Sequence, residues 1–520
     1  MDSFASDQSN THNGIRTSRL SNTGVLLLII PTAKLLLHLV AVNGYGIFGD
    51  ELYYLACANH PDWGYVDQPP LSILLLHLER TLLGDSTFSI RLLPVLAGFF
   101  AVLLTGLLAR RMGAGIFGQV LAELCAFIAP VYLALNHIFS MNAFDILFWL
   151  AAIYVIVNLI DGGRPGLWLL FGVVMGLGFE NKIGVLFLAF GLVVGLLLTR
   201  QRRVLFSWWL LAGAGVAVLL VLPNMLWQIA HGWPTIEWIN NARSRKMLAL
   251  PVQSFLFEQL ILMQPLSVLV WGTGLVMLLV SRRLSRYRSI GLCYLIILGV
   301  FVIQGGKPYY LVPIYPPLFV AGSMGIEQWL SSRWARTTLV VVLVAGGAAT
   351  APLGMPLLPV ETFIAYSNAL GLHPASGERS EEGDLPSFFA NMFGWEKLVA
   401  NVDTVYHSLT PEDQRACGIY CWNYMEAGAI DFYGHKPGLP PAICGHNNYW
   451  LWGTHGYTGD VLIVLGGNPQ TLQKYFGEVT ERARFQDKHI QPLHNNLPIY
   501  LVRRPKLPLS ELWPMVRDYI

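Results

Sequence analysis

Asp50 and Glu51 stand side by side in "FGDELYYLACANHPDWGYVDQPPL", directly after a long apolar run, in a chain where charge is scarce. Adjacent carboxylates at such a place must be solvated or partnered, because moving a lone charge into hydrocarbon is costly. A carboxylate that stays ionised at a water boundary is able to take a proton from an incoming hydroxyl or amine as a general base. Three other short stretches carry comparable chemistry. "LNHIFSMNAFDILFW" holds His137, Asn142 and Asp145, "GLGFENKIG" holds Glu180, Asn181 and Lys182, and "QGGKPYYLVPIYPP" holds Lys307, Tyr309 and Tyr310. Lysines near such acids suit the phosphate of a lipid-borne donor, whose charge must be neutralised as it departs. Each residue also has a plain structural reading. Asp145 suits a helix start, Lys182 and Lys307 suit snorkelling to the interface, and Tyr309 and Tyr310 suit an aromatic belt. Chemistry is favoured only if the chain brings these groups to one side.

The elements that would do so are read from hydropathy. The 520 residues are 54% hydrophobic and 13% charged, with a mean hydropathy of +0.49. A soluble domain carries about 25% charged residues, so the solvent expected here is a bilayer. The net charge of +2 is too small to argue for nucleic acid. A spanning helix needs about 20 mostly apolar residues. Eleven such stretches are predicted, at 23–42, 90–109, 115–135, 142–160, 167–180, 183–199, 206–228, 261–280, 289–305, 311–328 and 337–356. Residues 1–22 are polar, lack the form of a cleaved signal peptide and are expected to be a cytoplasmic tail.

Orientation follows from the short loops. With the N-terminus inside, the inner loops hold Arg16 and Arg19, Arg110 and Arg111, Arg164, Arg200 with Arg202 and Arg203, four arginines between Arg282 and Arg288, and Arg333 with Arg336. The outer loop 43–89 instead carries six acids, Asp50, Glu51, Asp62, Asp67, Glu79 and Asp85, against the single base Arg80. All four chemical stretches then fall on the outer face. One outer loop breaks the bias, "IEWINNARSRKM" with Arg243, Arg245 and Lys246, and reads either as an anion site or as a solvated basic turn. Two Pro-broken stretches, "VDQPPLSILLLHLERTL" and "HGWPTIEWINNARSRK", read as helices lying in the interface as a lid.

Residues 357–520 change character. Turn-rich segments alternate with strand-like runs such as "DVLIVLGG" and "PIYLVRR" and with the helical "WEKLVANVDTVYHSL". This predicts a small α/β domain outside the membrane. Cys57, Cys125 and Cys293 read as buried thiols, whereas a disulfide among Cys417, Cys421 and Cys444 requires an extracytoplasmic setting. No P-loop signature is present, which fits a site facing away from nucleotide donors.

"GDELYYLACANHPDWGYVDQPPL", "FSMNAFDILFW", "GLGFENKIG" and "GGKPYYLVPIYP" resemble the bacterial dolichyl-phosphate-mannose protein mannosyltransferase-like proteins, of glycosyltransferase family 39 with its RgtA/B/C/D-like relatives. The tail "NYMEAGAIDFYG" with "GLPPAICGHNNYWLWG" is similar to the extracytoplasmic domain of a branch of that family. The resemblance implies a GT-C fold over residues 23–356 and an inverting hexosyl transfer from a polyprenyl-phosphate monosaccharide to a lipid, protein or glycan acceptor, at the inner (plasma) membrane. It implies Asp50 as catalytic base with Glu51 completing the acid pair, Asp145 shaping the donor or acceptor pocket, and Lys182 and Lys307 at the donor phosphate; His137, Asn142, Tyr309 and Tyr310, sorted to the same face by the topology, are expected around the substrate. No cofactor is certain, and a divalent cation (Mg or Mn) shared by Asp50 and Asp145 is left open. The chain departs from the family where "FENK" has Glu180 and Asn181 before the lysine and where "MNAFD" precedes Asp145. Two other classes compete. A secondary transporter also buries charge, but it tends to show internal repeats and a midplane site. A non-catalytic envelope assembly protein would leave Asp50, Asp145, Lys182 and Lys307 without a task.

Overall fold

Long apolar segments fold as helices because no water is available in hydrocarbon to satisfy backbone polar groups. The computed structural model describes residues 11–248, 250–372, 381 and 383–520, without the side chains of 11–23. Residues 1–10 of the expected tail, and the side chains of Arg16 and Arg19, therefore lie outside the described part. Helix α1 (Thr11–Ala41) already begins within that tail. Among the described residues six helices are long and apolar enough to cross a membrane: Gly24–Ala41, Thr87–Met112, Met141–Ile160, Trp208–Ala230, Ser285–Gln304 and Arg333–Gly354.

The other predicted spans take different forms. The stretch 115–135 divides at Ala129 into Ile116–Ile128 and Pro130–Leu135. The stretches 167–180 and 183–199 form the shorter helices Leu167–Asn181 and Val185–Leu197. The segment before 280 is a pair, Val252–Leu262 and Pro265–Val280, bent by 100°. Residues 308–314 form a 3-10 turn before the helix Pro316–Trp329. Proline explains most of these breaks, since it removes a helical donor and its ring clashes with the preceding turn. Hydropathy does not register that. Close crossings depend on small residues. A side chain at Gly274 would run into the Leu318 carbonyl, and one at Gly322 into that of Val270, so these two helices meet backbone to backbone.

The helix Met141–Ile160 has two chemically distinct ends. Beyond its last turn Asp161 accepts from Tyr287 at 2.8 Å and lies 3.4 Å from Arg111 and 3.2 Å from Arg286. Its first turn carries Asn142 and Asp145, at the opposite end of the bundle. Between α1 and helix α4 (Thr87–Met112) the chain forms two short helices, α2 (Gly49–Asn59) and α3 (Leu71–Leu83). The second of these and Pro234–Asn241 are the helices expected after the two Pro-broken stretches.

Residues beyond 395 form a five-stranded sheet: β1 Cys417–Cys421, β2 Ala442–Cys444, β3 Val461–Leu465, β4 Phe476–Phe485 and β5 Leu497–Pro505, in the order β2-β1-β3-β5-β4. The first three strands run parallel, whereas β5 is antiparallel to both β3 and β4. Central β3, "VLIVL", is buried along its whole length, as expected for a strand covered on both faces. All six cysteines are buried free thiols, so Cys417, Cys421 and Cys444 are not bridged here. One apolar core runs from Leu52 and Leu55 of α2 to Leu398, Ile430 and Ile463, and so joins the sheet domain to α2.

Candidate active site

The neighbours Asp50 and Glu51 part company at the start of α2. Successive helical residues point about 100° apart, and Glu51 points inward. It is fully buried, and each of its oxygens accepts two hydrogen bonds. Arg91 donates at 3.0 and 2.7 Å, the Phe139 backbone N–H at 2.7 Å and the Phe48 backbone N–H at 2.8 Å. The same guanidinium donates to the carbonyls of Val42 and Gly46, both at 2.9 Å, and lies 3.3 Å from His137 Nε2. Glu51 was expected beside Asp50 at the chemistry, and His137 among the substrate groups. Instead Glu51 clamps the entry to α2, α4 and the turn at 136–140 around one enclosed guanidinium. His137, 1% exposed, is packed behind that clamp with its ring 6.3 Å from that of His38.

Asp50 faces the other way, partly exposed, and accepts a hydrogen bond from the Tyr424 hydroxyl at 3.0 Å. One helical turn on, Tyr54 lies on the same face, and its hydroxyl accepts from the Met141 backbone N–H at 3.3 Å. Met141 leads directly into the second group. Lys182 Nζ donates to Asn142 Oδ1 at 2.7 Å and lies 3.5 Å from Asp145 Oδ2. It also sits 5.0 Å from the ring of Tyr310 and 5.7 Å from that of Tyr309, while Lys307 lies 5.9 Å from the Tyr309 ring. Asn181 secures the turn by donating to the Met141 carbonyl at 2.8 Å. Six expected residues thus meet from three separate turns: Asn142, Asp145, Lys182, Lys307, Tyr309 and Tyr310. Asp50 is tied to them through Tyr54.

Asp67 belongs to the same neighbourhood. Tyr53 donates to it at 2.9 Å, and Asn448 of the sheet domain holds the adjacent backbone by accepting from the Val66 N–H at 2.7 Å. Burial raises Asp67 from its ordinary 3.8 to about 6, opposed by the Tyr53 hydrogen bond, with the charge of Asp50 adding and that of Lys246 subtracting. The folded chain therefore holds this proton more tightly than the unfolded chain. Its contribution to stability is full below pH 3.8 and is lost as pH rises to about 6. Replacing Asp67 by Asn is expected to remove that part of the pH dependence, measured as the midpoint of thermal unfolding in detergent between pH 4 and 7.

The basic outer loop resolves into a docking contact for one of its charges. Arg245 pairs with Asp518, and Asn241 donates to the Tyr519 carbonyl at 2.9 Å. A cavity of about 920 Å³ lies at the far end of α2 and is lined by Asn59 and Lys436 rather than by Asp50. Among the described residues no three His, Cys, Asp or Glu side chains gather as a metal site. Asp145 has the Lys182 ammonium beside one carboxylate oxygen, while its other oxygen is buried without a hydrogen-bond partner.

Sequence reasoning did not single out Tyr53, Tyr54, Arg91 or Tyr424. The first two stand within the quoted "DELYY", and their spacing from Asp50 was a usable signal. Arg91 lies inside an apolar helix, where a lone arginine marks a buried partner. Tyr424 stands within the quoted "NYMEAGAIDFYG", but nothing local to it points to Asp50.

The fold is of the GT-C type, as the comparison with solved structures shows. Residues 67–227 match the family described as dolichyl-phosphate-mannose-protein mannosyltransferase. The chain is 31% identical over 193 residues to the lipid A galacturonosyltransferase RgtD of Rhizobium johnstonii, covering 36% of this chain and 40% of that protein. It is 24% identical over 295 residues to the undecaprenyl phosphate-alpha-4-amino-4-deoxy-L-arabinose arabinosyl transferase 1 of Pseudomonas fluorescens, covering 52% and 50%. The matches thus span half or less of these curated relatives. The crystal structure of ArnT from Cupriavidus metallidurans bound to undecaprenyl phosphate superposes with a TM-score of 0.60 over 95% of this chain and 98% of that one. At 15% identity this is a likeness of fold.

Proposed function

We propose that this protein transfers a monosaccharide from a polyprenyl-phosphate donor to a hydroxyl-bearing lipid, protein or glycan acceptor, with Asp50 as general base. In this reading eleven segments cross or enter the membrane, and the site and the sheet domain are extracytoplasmic. The observation that carries it is the gathering of Lys182, Lys307, Tyr309 and Tyr310 beside Asn142 and Asp145, at the same end of the bundle as Asp50. The arginine-paired Asp161 lies at the opposite end, which this reading takes as the inner one.

The step balances simply. The acceptor oxygen attacks the anomeric carbon, the bond from that carbon to the phosphate oxygen breaks, and the acceptor proton passes to Asp50. Polyprenyl phosphate leaves as an anion, and attack opposite the departing group inverts the anomeric configuration. Lys182 supplies the countercharge, with Asn142 and Asp145 fixing its ammonium. Tyr309 and Tyr310 border the same space. The similarity to RgtD favours a lipid-borne acceptor among the three.

Membrane vesicles bearing the protein, given labelled polyprenyl-phosphate sugar, are expected to move label into an acceptor, with lipid A, protein and glycan supplied in separate arms. Transport of label without transfer in every arm would refute the reading. In the same assay Lys182→Ala and Lys307→Ala are each expected to raise the apparent donor KM by about 10- to 100-fold, the equivalent of a charged hydrogen bond worth about 1.5–3 kcal/mol. Wild-type donor dependence in both variants would remove the phosphate assignment.

A further inference from the structure

We propose that Tyr424, contributed by the sheet domain, positions the Asp50 carboxylate for proton transfer, so that the domain is a working wall of the site. This rests on Asp50 being the general base. Tyr424 begins the helix Tyr424–Tyr433, whose start is capped by Asn423, which accepts from the Met425 N–H at 2.8 Å. Its hydroxyl reaches Asp50 Oδ1 at 3.0 Å. The ring has little freedom to turn away. It is 7% exposed, with the Tyr53 ring 4.7 Å away on one side and the His446 ring 4.5 Å away on another. His446 is itself held 2.8 Å from the Ile520 carbonyl.

The approach of the two helices is built for this contact. A side chain at Gly428 would meet the backbone of Leu52 at 2.8 Å, and one at Gly49 would meet Met425 Sδ at 2.6 Å. Glycine on both sides thus allows the helix of Tyr424 to lie against α2 at backbone distance, beside Asp50. A second anchor ties another part of the sheet domain to α2 and the loop after it. Asn448 accepts from the Val66 N–H at 2.7 Å, and its own N–H lies 3.3 Å from the Tyr53 hydroxyl. The domain therefore reaches both carboxylates of the neighbourhood: Asp50 directly, and Asp67 through Tyr53 and Val66.

A hydroxyl that donates to a carboxylate favours its ionised form and fixes the orientation of its lone pairs. A general base works only when ionised and within reach of the proton it takes. Charged and titratable groups around Asp50 include Asp67 and Tyr54, both within range of its charge, then Lys246 near Asp67, and His446 behind Tyr424. Substitution of Tyr424 by Phe leaves all of these in place.

Tyr424→Phe keeps both ring contacts and removes only the hydroxyl. Purified full-length enzyme in vesicles is expected to lose turnover about 10-fold or more, with donor KM changed by less than about two-fold, and its acidic rate limb is expected to move up by about one pH unit. Genetic replacement of Tyr424 by 3-fluorotyrosine, a stronger donor, is expected to move that limb the opposite way. A role in packing alone would leave the limb unmoved in both. Wild-type turnover and limb in Tyr424→Phe overturn the proposal, as does a shift of one sign in both variants. Asp50→Asn measured in parallel separates the failures: if it keeps wild-type turnover, the general-base reading falls; if it is inactive while Tyr424→Phe is normal, only the role of Tyr424 falls.

Discussion

Asp50→Asn is expected to reduce turnover by about 10²–10⁴-fold, the usual cost of losing a general base, while the protein inserts and folds normally. The expectation of normal folding comes from the surroundings of the side chain. Asp50 is partly exposed, and its contact with Tyr424 is one that an asparagine oxygen is able to accept. The substitution removes basicity and keeps an acceptor for the Tyr424 hydroxyl. Vesicle transfer of labelled polyprenyl-phosphate sugar gives the rate, and detergent melting of the same preparation gives the stability. Unchanged transfer would take Asp50 out of the reaction. Loss of transfer with an equal loss of melting temperature would leave its role unproved, and Asp50→Glu, which restores the carboxylate, would then decide by rescuing turnover or failing to.

The neighbouring acid is expected to behave in the opposite manner. Glu51 and Arg91 are both fully enclosed and 2.7 Å apart, and removing one partner strands a buried charge. Arg91→Met is expected to destabilise the folded protein by about 3–5 kcal/mol, read as a large fall in thermal midpoint or as failure to accumulate in the membrane. Combining it with Glu51→Gln should recover part of the loss, since the pair then leaves together. The recovery is expected to be incomplete, because the Val42 and Gly46 carbonyls lose the guanidinium and the single amide oxygen of glutamine replaces the two carboxylate oxygens that accept from Phe48 and Phe139. If Glu51→Gln kept wild-type stability and lost turnover with a shifted pH profile, the clamp would be the wrong description and Glu51 would belong to the chemistry.

That contrast shows where sequence reasoning stops. Adjacent acids look equivalent in one dimension, but helical geometry turns one toward water and the other toward the bundle. Choosing between them requires knowing that Arg91, forty positions on, lies within the apolar interior. The grouping around Lys182 was easier to read. Arginine-rich loops alternate with polar turns along the chain, so "MNAFD", "FENK" and "GGKPYY" sort to one side before any contact is known. The lengths of the spans were harder to read. Ala129, Pro265 and Pro308 interrupt stretches whose hydropathy is continuous, and backbone donors rather than apolar character decide those breaks.

The sequence by itself determined the solvent, the helical class, the location of the small α/β domain and the sorting of polar turns, because each depends on local composition and on charge counted along the chain. Only the tertiary structure decided which polar groups touch. Burial divided Asp50 from Glu51, gave Arg91 a purpose and withdrew His137 from the site. It also brought Tyr424 to Asp50 across 374 positions. Contacts of that kind depend on close packing between distant elements, and close packing is set by the shapes of both partners at once.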